Sequence, residues 1–145
     1  MDLMGPFPMT ASGNTMILVT IDYDDGWPSV SALCTADTEA VLRSFRKDTV
    51  AQSGIPEVVL TDQGSNLTSE AAQDFFATCG IDKKQAAAQS PWTDGAAENL
   101  VKEVTHMLRA YILEFGGHWD DHLPWTLTNF PLDSYIPLSR GMLIS

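Results

Sequence analysis

Apolar residues follow two rhythms along this chain, short β-branched runs and stretches spaced at the helical repeat. Met16-Ile17-Leu18-Val19-Thr20-Ile21 is short, rich in β-branched residues and flanked by Ser12-Gly13-Asn14 and Asp24-Asp25-Gly26, so it reads as a buried strand. Trp27 to Leu33 follows the acidic turn and pairs back as a hairpin, with Pro28 near its start, where a missing N–H does little harm. From about Asp37 to Gln52, Val41, Leu42, Phe45 and Val50 are spaced for a helix, with Thr35 or Asp37 as N-cap and Gly54 and Pro56 closing it. Val58-Val59-Leu60 predicts a second buried strand that delivers Asp62 at its C-terminal end, where Gly64 permits a sharp turn. Asn66, Thr68 or Ser69 caps a helix to about Thr78, Gly80 ends it, and Ile81 to Ala86 forms a short strand. Gln85 to Gly95, small and polar apart from Trp92, reads as a mobile loop.

A long helix is expected from about Ala96 to Phe115, stopped by Gly116-Gly117, and a shorter one from about Trp119 to Asn129. At about 100° per residue, Leu100, Val104, Met107, Leu108, Tyr111 and Phe115 share the core-facing stripe of the long helix. Glu98, Lys102, Thr105 and Arg109 line up opposite, so one carboxylate and two cations share an exposed ridge. Strands and helices in this order indicate one α/β domain over residues 1–145 with a mixed sheet, the pattern weakening from about residue 131.

Composition adds boundaries. With 44% apolar residues in 145, the chain can bury a core, and it lacks the uninterrupted apolar stretch of a membrane span and the basic-then-apolar start of a secretory signal. A soluble intracellular protein is expected. Cys34 and Cys79 are too few for a zinc framework and read as small core residues. The net charge of −11 opposes nucleic-acid binding when averaged over the surface, but a site acts through its local field. Lys83, Lys84, Lys102 and Arg109 fall in one stretch of chain that also contains Glu98. His118 and His122, at i,i+4, form a weak metal pair without a third ligand, and Asn66-Leu67-Thr68 matches a glycosylation sequon but reads more simply as turn and cap chemistry.

Two-metal phosphoryl transfer needs hard oxygen ligands brought together from separate rigid elements. Asp62 at a strand end and Glu98 in the first turn of a long helix suit that task, although any trio among 19 acidic residues means little by itself. Their surroundings add meaning. Met1-Asp2-Leu3-Met4-Gly5-Pro6-Phe7-Pro8, then Ile17 to Tyr23 with Trp27-Pro28, then Leu60-Thr61-Asp62-Gln63-Gly64-Ser65-Asn66, and last Ser90-Pro91-Trp92-Thr93-Asp94-Gly95-Ala96-Ala97-Glu98 stand in order, with 35 residues between Asp62 and Glu98. Over residues 1 to about 130 this series resembles the integrase catalytic core of gypsy-type LTR retrotransposons and retroviruses. Asn99 stands where that family commonly has Arg, and Ser90 where it often has His.

The resemblance implies a ribonuclease H-like fold, a mixed five-stranded sheet flanked by helices, with the strand carrying Asp2 truncated. It implies that Asp2, Asp62 and Glu98 are the catalytic residues and bind two Mg²⁺ (or Mn²⁺) ions, with no small-molecule cofactor. Asp22, a strand carboxylate at the wrong spacing, is set aside as the first ligand. Water and then a DNA 3′-hydroxyl would attack phosphodiesters, first trimming element ends and then joining them to target DNA. Lys102 would meet DNA phosphate; Arg109, Lys83, Lys84 and Asn66 are further candidate DNA-binding residues. Trp92 could stack on a base or cover the domain's edge, and Gly95 would be a hinge in the loop holding the element end. A homodimer or higher multimer acting on DNA, away from membranes and in the nucleus if functional, is expected. Without flanking zinc and DNA-binding domains, the isolated chain is expected to integrate poorly. The acidic balance keeps a second class open, a decayed or domesticated module that binds nucleic acid or protein without catalysis. A ribonuclease H-like nuclease with no transfer step is a third.

Overall fold

The computed structural model describes residues 1–21, 28–61, 65–85 and 91–124. Three antiparallel strands, β1 (Asp2–Met4), β2 (Met16–Ile21) and β3 (Pro28–Leu33), form one sheet in that order, with Asp2 opposite Val19 and Met16 opposite Leu33. The expected hairpin is therefore present, while its turn and Asp22 lie outside the described residues. The strand β4 (Val58–Thr61) pairs in parallel with β5 (Asp82–Gln85), Thr61 opposite Gln85. The expected single five-stranded sheet is thus a three-stranded and a two-stranded ladder. They are linked where the Met1 nitrogen donates to the Leu60 carbonyl at 2.9 Å. That bond sets β1 between β2 and β4 and ties down the start of a strand expected to be truncated.

Alternation along β2 distributes the core to both faces, because successive strand side chains point opposite ways. Leu18 joins Leu33, Val41, Leu42, Phe45, Val59, Leu67, Ala72, Phe76 and Ile81 on one face. Ile17 and Val19 join Met4, Val104, Leu108, Trp119 and Leu123 on the other. Helices cover both faces, α1 (Thr38–Ser44), α3 (Ser65–Thr68) and α4 (Glu70–Thr78) on the first and α5 (Pro91–Phe115) on the second. Among the described residues no helix is long and apolar enough to cross a membrane.

Local chemistry explains most element ends. Asp37 caps α1 by accepting the Ala40 N–H at 2.8 Å, and Ser69 caps α4 through the Ala72 N–H at 3.3 Å. Thr35, the other cap candidate, instead donates its hydroxyl to Asp37. Gly5 leaves β1 at φ 132°, where an added Cβ would lie 2.9 Å from the Thr15 carbonyl oxygen, so only glycine fits that exit.

Several expectations differ from the structure. The 37–52 helix is α-helical only to Ser44, continues as a π-helix over Phe45–Val50 and ends with one turn, α2 (Ala51–Ser53). Phe45 and Val50 are five residues apart, one turn when bonds run i to i+5, and both pack on the first core cluster. The long helix begins at Pro91 rather than Ala96, so Trp92 and Gly95 have helical backbone rather than lying in a loop; proline is tolerated in a first turn. Its core stripe is Val104 and Leu108 with Ile112 packed beside them, whereas Phe115 is 67% exposed because the helix end projects past the core. Cys34, one residue past the end of β3, is exposed, while Cys79 is half-buried. The expected helix from Trp119 opens as a 3₁₀ turn over Trp119–His122 and is helical at Leu123 and Pro124, anchored by the indole N–H donating to the Pro8 carbonyl at 2.7 Å and by Phe7 at 5.3 Å; the rest of that expectation, with residues 125–145, lies outside the described residues.

Candidate metal and nucleic-acid site

The three motif carboxylates belong to β1, the segment after β4, and α5. Asp2 sits in β1 by its backbone, Asp62 follows the last described residue of β4, and Glu98 is in the body of α5. The side chains of Asp2 and Glu98, and Asp62 as a whole, lie outside the described residues. What is described is how their supports meet. β1 adjoins the end of β4 through the bond from Met1 to Leu60, and its Met4 shares a core cluster with Val104 and Leu108 of α5. β1 is therefore the common neighbour of both other supports. Because α5 starts at Pro91, Glu98 lies about two turns in rather than in the first turn. A backbone position that far in lies beyond the positive end of the helix dipole, which fades within a turn, and is a rigid mount.

Thr61, immediately before Asp62 in its motif, was not among the candidate site residues. It is 1% exposed, and its hydroxyl Oγ1 has no hydrogen-bond partner among the described residues. The alternation of β4 puts it on the same face as buried Val59, a signal present in the sequence.

The cations divide into two pairs. Lys102 and Arg109 are exposed on α5, and exposed His106, which no sequence motif marks, falls between them on the same ridge. Lys83 is half-buried and donates its Nζ to the Leu67 carbonyl in α3, while exposed Lys84 stands 3.7 Å from Asp82. Asn66 donates its amide to the Ala36 carbonyl at 2.9 Å and accepts Thr38 Oγ1 at its own carbonyl, clasping α3 to the entrance of α1. Trp92 and Gly95 lie on the first turns of α5, the Trp92 side chain outside the described residues.

Away from these elements, Asp120 accepts the Asn14 amide at 2.9 Å. Burial pulls its carboxyl upward, but hydrogen bonds from Thr10 and Asn14 outweigh that and hold it below the ordinary value. His122 stacks on Tyr111 at 6.0 Å, and its Nε2 lies 2.7 Å from the Gly116 carbonyl oxygen. Among the described residues no group of three His, Cys, Asp or Glu is placed to hold a metal.

The architecture has solved counterparts. The HTLV-2 integrase catalytic core domain, in a magnesium complex described as trimeric, superposes with a TM-score of 0.59 at 21% identity, over 83% of this chain and 68% of that one. The catalytic core domain of BIV integrase gives 0.67 at 17% identity, over 78% and 72%. The chain has the ribonuclease H-like fold of retroviral integrase cores. Sequence relatives point the same way: it is 29% identical over 116 residues to the Gag-Pol polyprotein of koala retrovirus and 24% identical over 140 residues to the Pro-Pol polyprotein of simian foamy virus type 3. The integrase-like chain spans 7% and 12% of those polyproteins. No family model matches it.

Proposed function

We propose that this chain is a DNA-integrating polynucleotidyl transferase core in which Asp2, Asp62 and Glu98 form one divalent-metal site. The observation that carries this reading is the convergence of three motif-bearing elements on β1, which adjoins the end of β4 on one edge and packs with α5 on one face. The donor set fits the hard cation that the fold implies, since all three groups are carboxylates, and the unpartnered Thr61 hydroxyl leaves a buried polar atom in reserve beside Asp62. Asp2, Asp62 and Glu98 would hold two Mg²⁺ or Mn²⁺ ions, which would supply Lewis-acid charge stabilisation for phosphodiester exchange. The chain's own residues hold the reacting parts: the carboxylates fix the cations, and Lys102 and Arg109 take DNA phosphates along α5. Element ends and target DNA are the substrates, the acting form is a multimer, and the setting is the nucleus.

Carboxylates gathered without a cation repel one another, so millimolar Mn²⁺ should raise the melting temperature, and Asp62→Asn or Glu98→Gln should abolish the rise. The same shift in parent and both variants would remove the shared site. A strand-transfer or disintegration assay with Mg²⁺ or Mn²⁺ then tests the chemistry. A second reading, a non-catalytic binding module, is favoured by the engagement of Lys83 with Leu67 and Lys84 with Asp82 on a chain of net charge −11. Metal-dependent stabilisation without any strand transfer would support it.

A further inference from the structure

Thr61 is a costly choice for its position. Its side chain is 1% exposed and its Oγ1 has no hydrogen-bond partner among the described residues, although buried hydroxyls in folded proteins are nearly always paired. Valine has the same branched shape and equal liking for a strand, and it would fill the space on the Val59 face of the strand without an orphaned hydroxyl. Packing alone therefore does not explain threonine here. On the adjacent strand, Lys83, paired with Val59 across the parallel ladder, donates its Nζ to the Leu67 carbonyl rather than to Thr61. Thr61 is also the last residue of β4, directly before Asp62. A threonine hydroxyl at such a junction readily bonds to the backbone or carboxylate of the residues it introduces.

We propose that Thr61 is a positioning residue for Asp62, its buried hydroxyl held for a hydrogen bond to the Asp62 segment that forms when the divalent cation is bound. This rests on the metal site proposed above. Ligand carboxylates are commonly oriented by a second group that bonds to them, and losing that group weakens metal binding without removing a ligand. The cost of leaving Thr61 unpartnered without metal is then offset in the metal-bound form, so binding stabilises the fold through the same hydroxyl.

The test is calorimetric titration of Mn²⁺ into the full chain and its Thr61→Val and Thr61→Ser variants, together with their metal-free melting temperatures. Thr61→Val should melt, without metal, at the parent temperature or roughly 2–4 °C above it, since it removes an unpartnered polar atom. It should bind Mn²⁺ roughly tenfold more weakly, while Thr61→Ser stays within about twofold of the parent. Equal affinity for Mn²⁺ in the parent and Thr61→Val would overturn the role of Thr61 and leave the metal site standing. Equal weakening in both variants would show that the hydroxyl, which serine keeps, does not set the affinity, and would overturn it too. A sharp fall in the metal-free melting temperature of Thr61→Val would reveal an existing structural partner for the hydroxyl and would likewise overturn the positioning role. No Mn²⁺ binding by the parent would remove both that role and the metal site beneath it.

Discussion

At the scale of single residues, several polar groups hold the fold together rather than acting on a substrate. Asn66 and Lys83, chosen from the sequence as DNA-binding candidates, commit donors to the Ala36 and Leu67 carbonyls. Asp120 is the counterpart that can be read by titration, because Asn14 and Thr10 hold its carboxyl below its ordinary value of 3.8 and so join the β1–β2 connection to the 3₁₀ turn. A depressed carboxylate adds stability that is complete above the unfolded value and is lost as pH falls through the lower folded one. Asp120→Asn should therefore cost about 1 kcal/mol at neutral pH, less than a fully buried charged hydrogen bond because the site is partly open to water. Parent and variant should converge below the folded value. A constant gap in melting temperature from pH 7 to pH 2 would show that the carboxylate's charge contributes nothing. The sequence does not separate Asp120 from the other acidic residues, because its partners at positions 10 and 14 are more than a hundred residues away along the chain.

At the scale of elements, what the sequence revealed depended on whether the deciding interaction was local. β2, β3 and the two helix caps followed from alternation and short side chains next to the backbone they serve. The π-helix did not, although the five-residue step from Phe45 to Val50 was its trace. It turns Asp48 and Thr49 toward the sheet, where Asp48 accepts Ser31 Oγ at 2.7 Å and Ser44 Oγ at 3.2 Å and Thr49 meets Thr20 at 3.1 Å. Of the candidate site, the strand and helix supports and the order of the motifs were readable in advance, while the unpartnered Thr61 hydroxyl and the loss of Lys83 to a backbone carbonyl emerge only from long-range packing. The ridge of α5 was also local, set by helical periodicity, and it retains Lys102, His106 and Arg109 as exposed groups. On the proposed function, Lys102→Ala should weaken DNA binding and reduce the slope of log K against log salt by about one, since one phosphate contact is lost. Arg43→Ala, which removes an exposed cation already paired with Glu39 at 2.7 Å, should leave the slope unchanged. Equal losses in a salt titration of both variants would mean that DNA meets the surface diffusely, with no contact localised on α5.

At the scale of the whole molecule, the antiparallel sheet separates two apolar clusters that share strands but no side chains. Leu18 faces one and Ile17 and Val19 the other, so Phe76 on α4 and Leu108 on α5 lie in different layers with the sheet between them. Each layer is close-packed, and removing a large side chain from either costs its transfer free energy plus that of the cavity left behind, about 2–5 kcal/mol for Leu108→Ala and about 3–5 kcal/mol for Phe76→Ala. Packed layers stand about 10 Å apart, beyond direct contact, so the two losses should add to within about 0.5 kcal/mol. Leu108→Ala combined with Val104→Ala, within one cluster, should couple by about 0.5 kcal/mol or more because the two sites share neighbours. All the variants should still unfold in one transition, since β1 and β2 contribute to both layers and neither layer can open without releasing them. Denaturant titrations on the single and double variants decide the matter. A coupling well above about 1 kcal/mol between Phe76 and Leu108 would mean that strain crosses the sheet. A change at the α1 face could then reach α5 and the carboxylate it carries; additivity would mean that the sheet isolates that helix from substitutions on the far side.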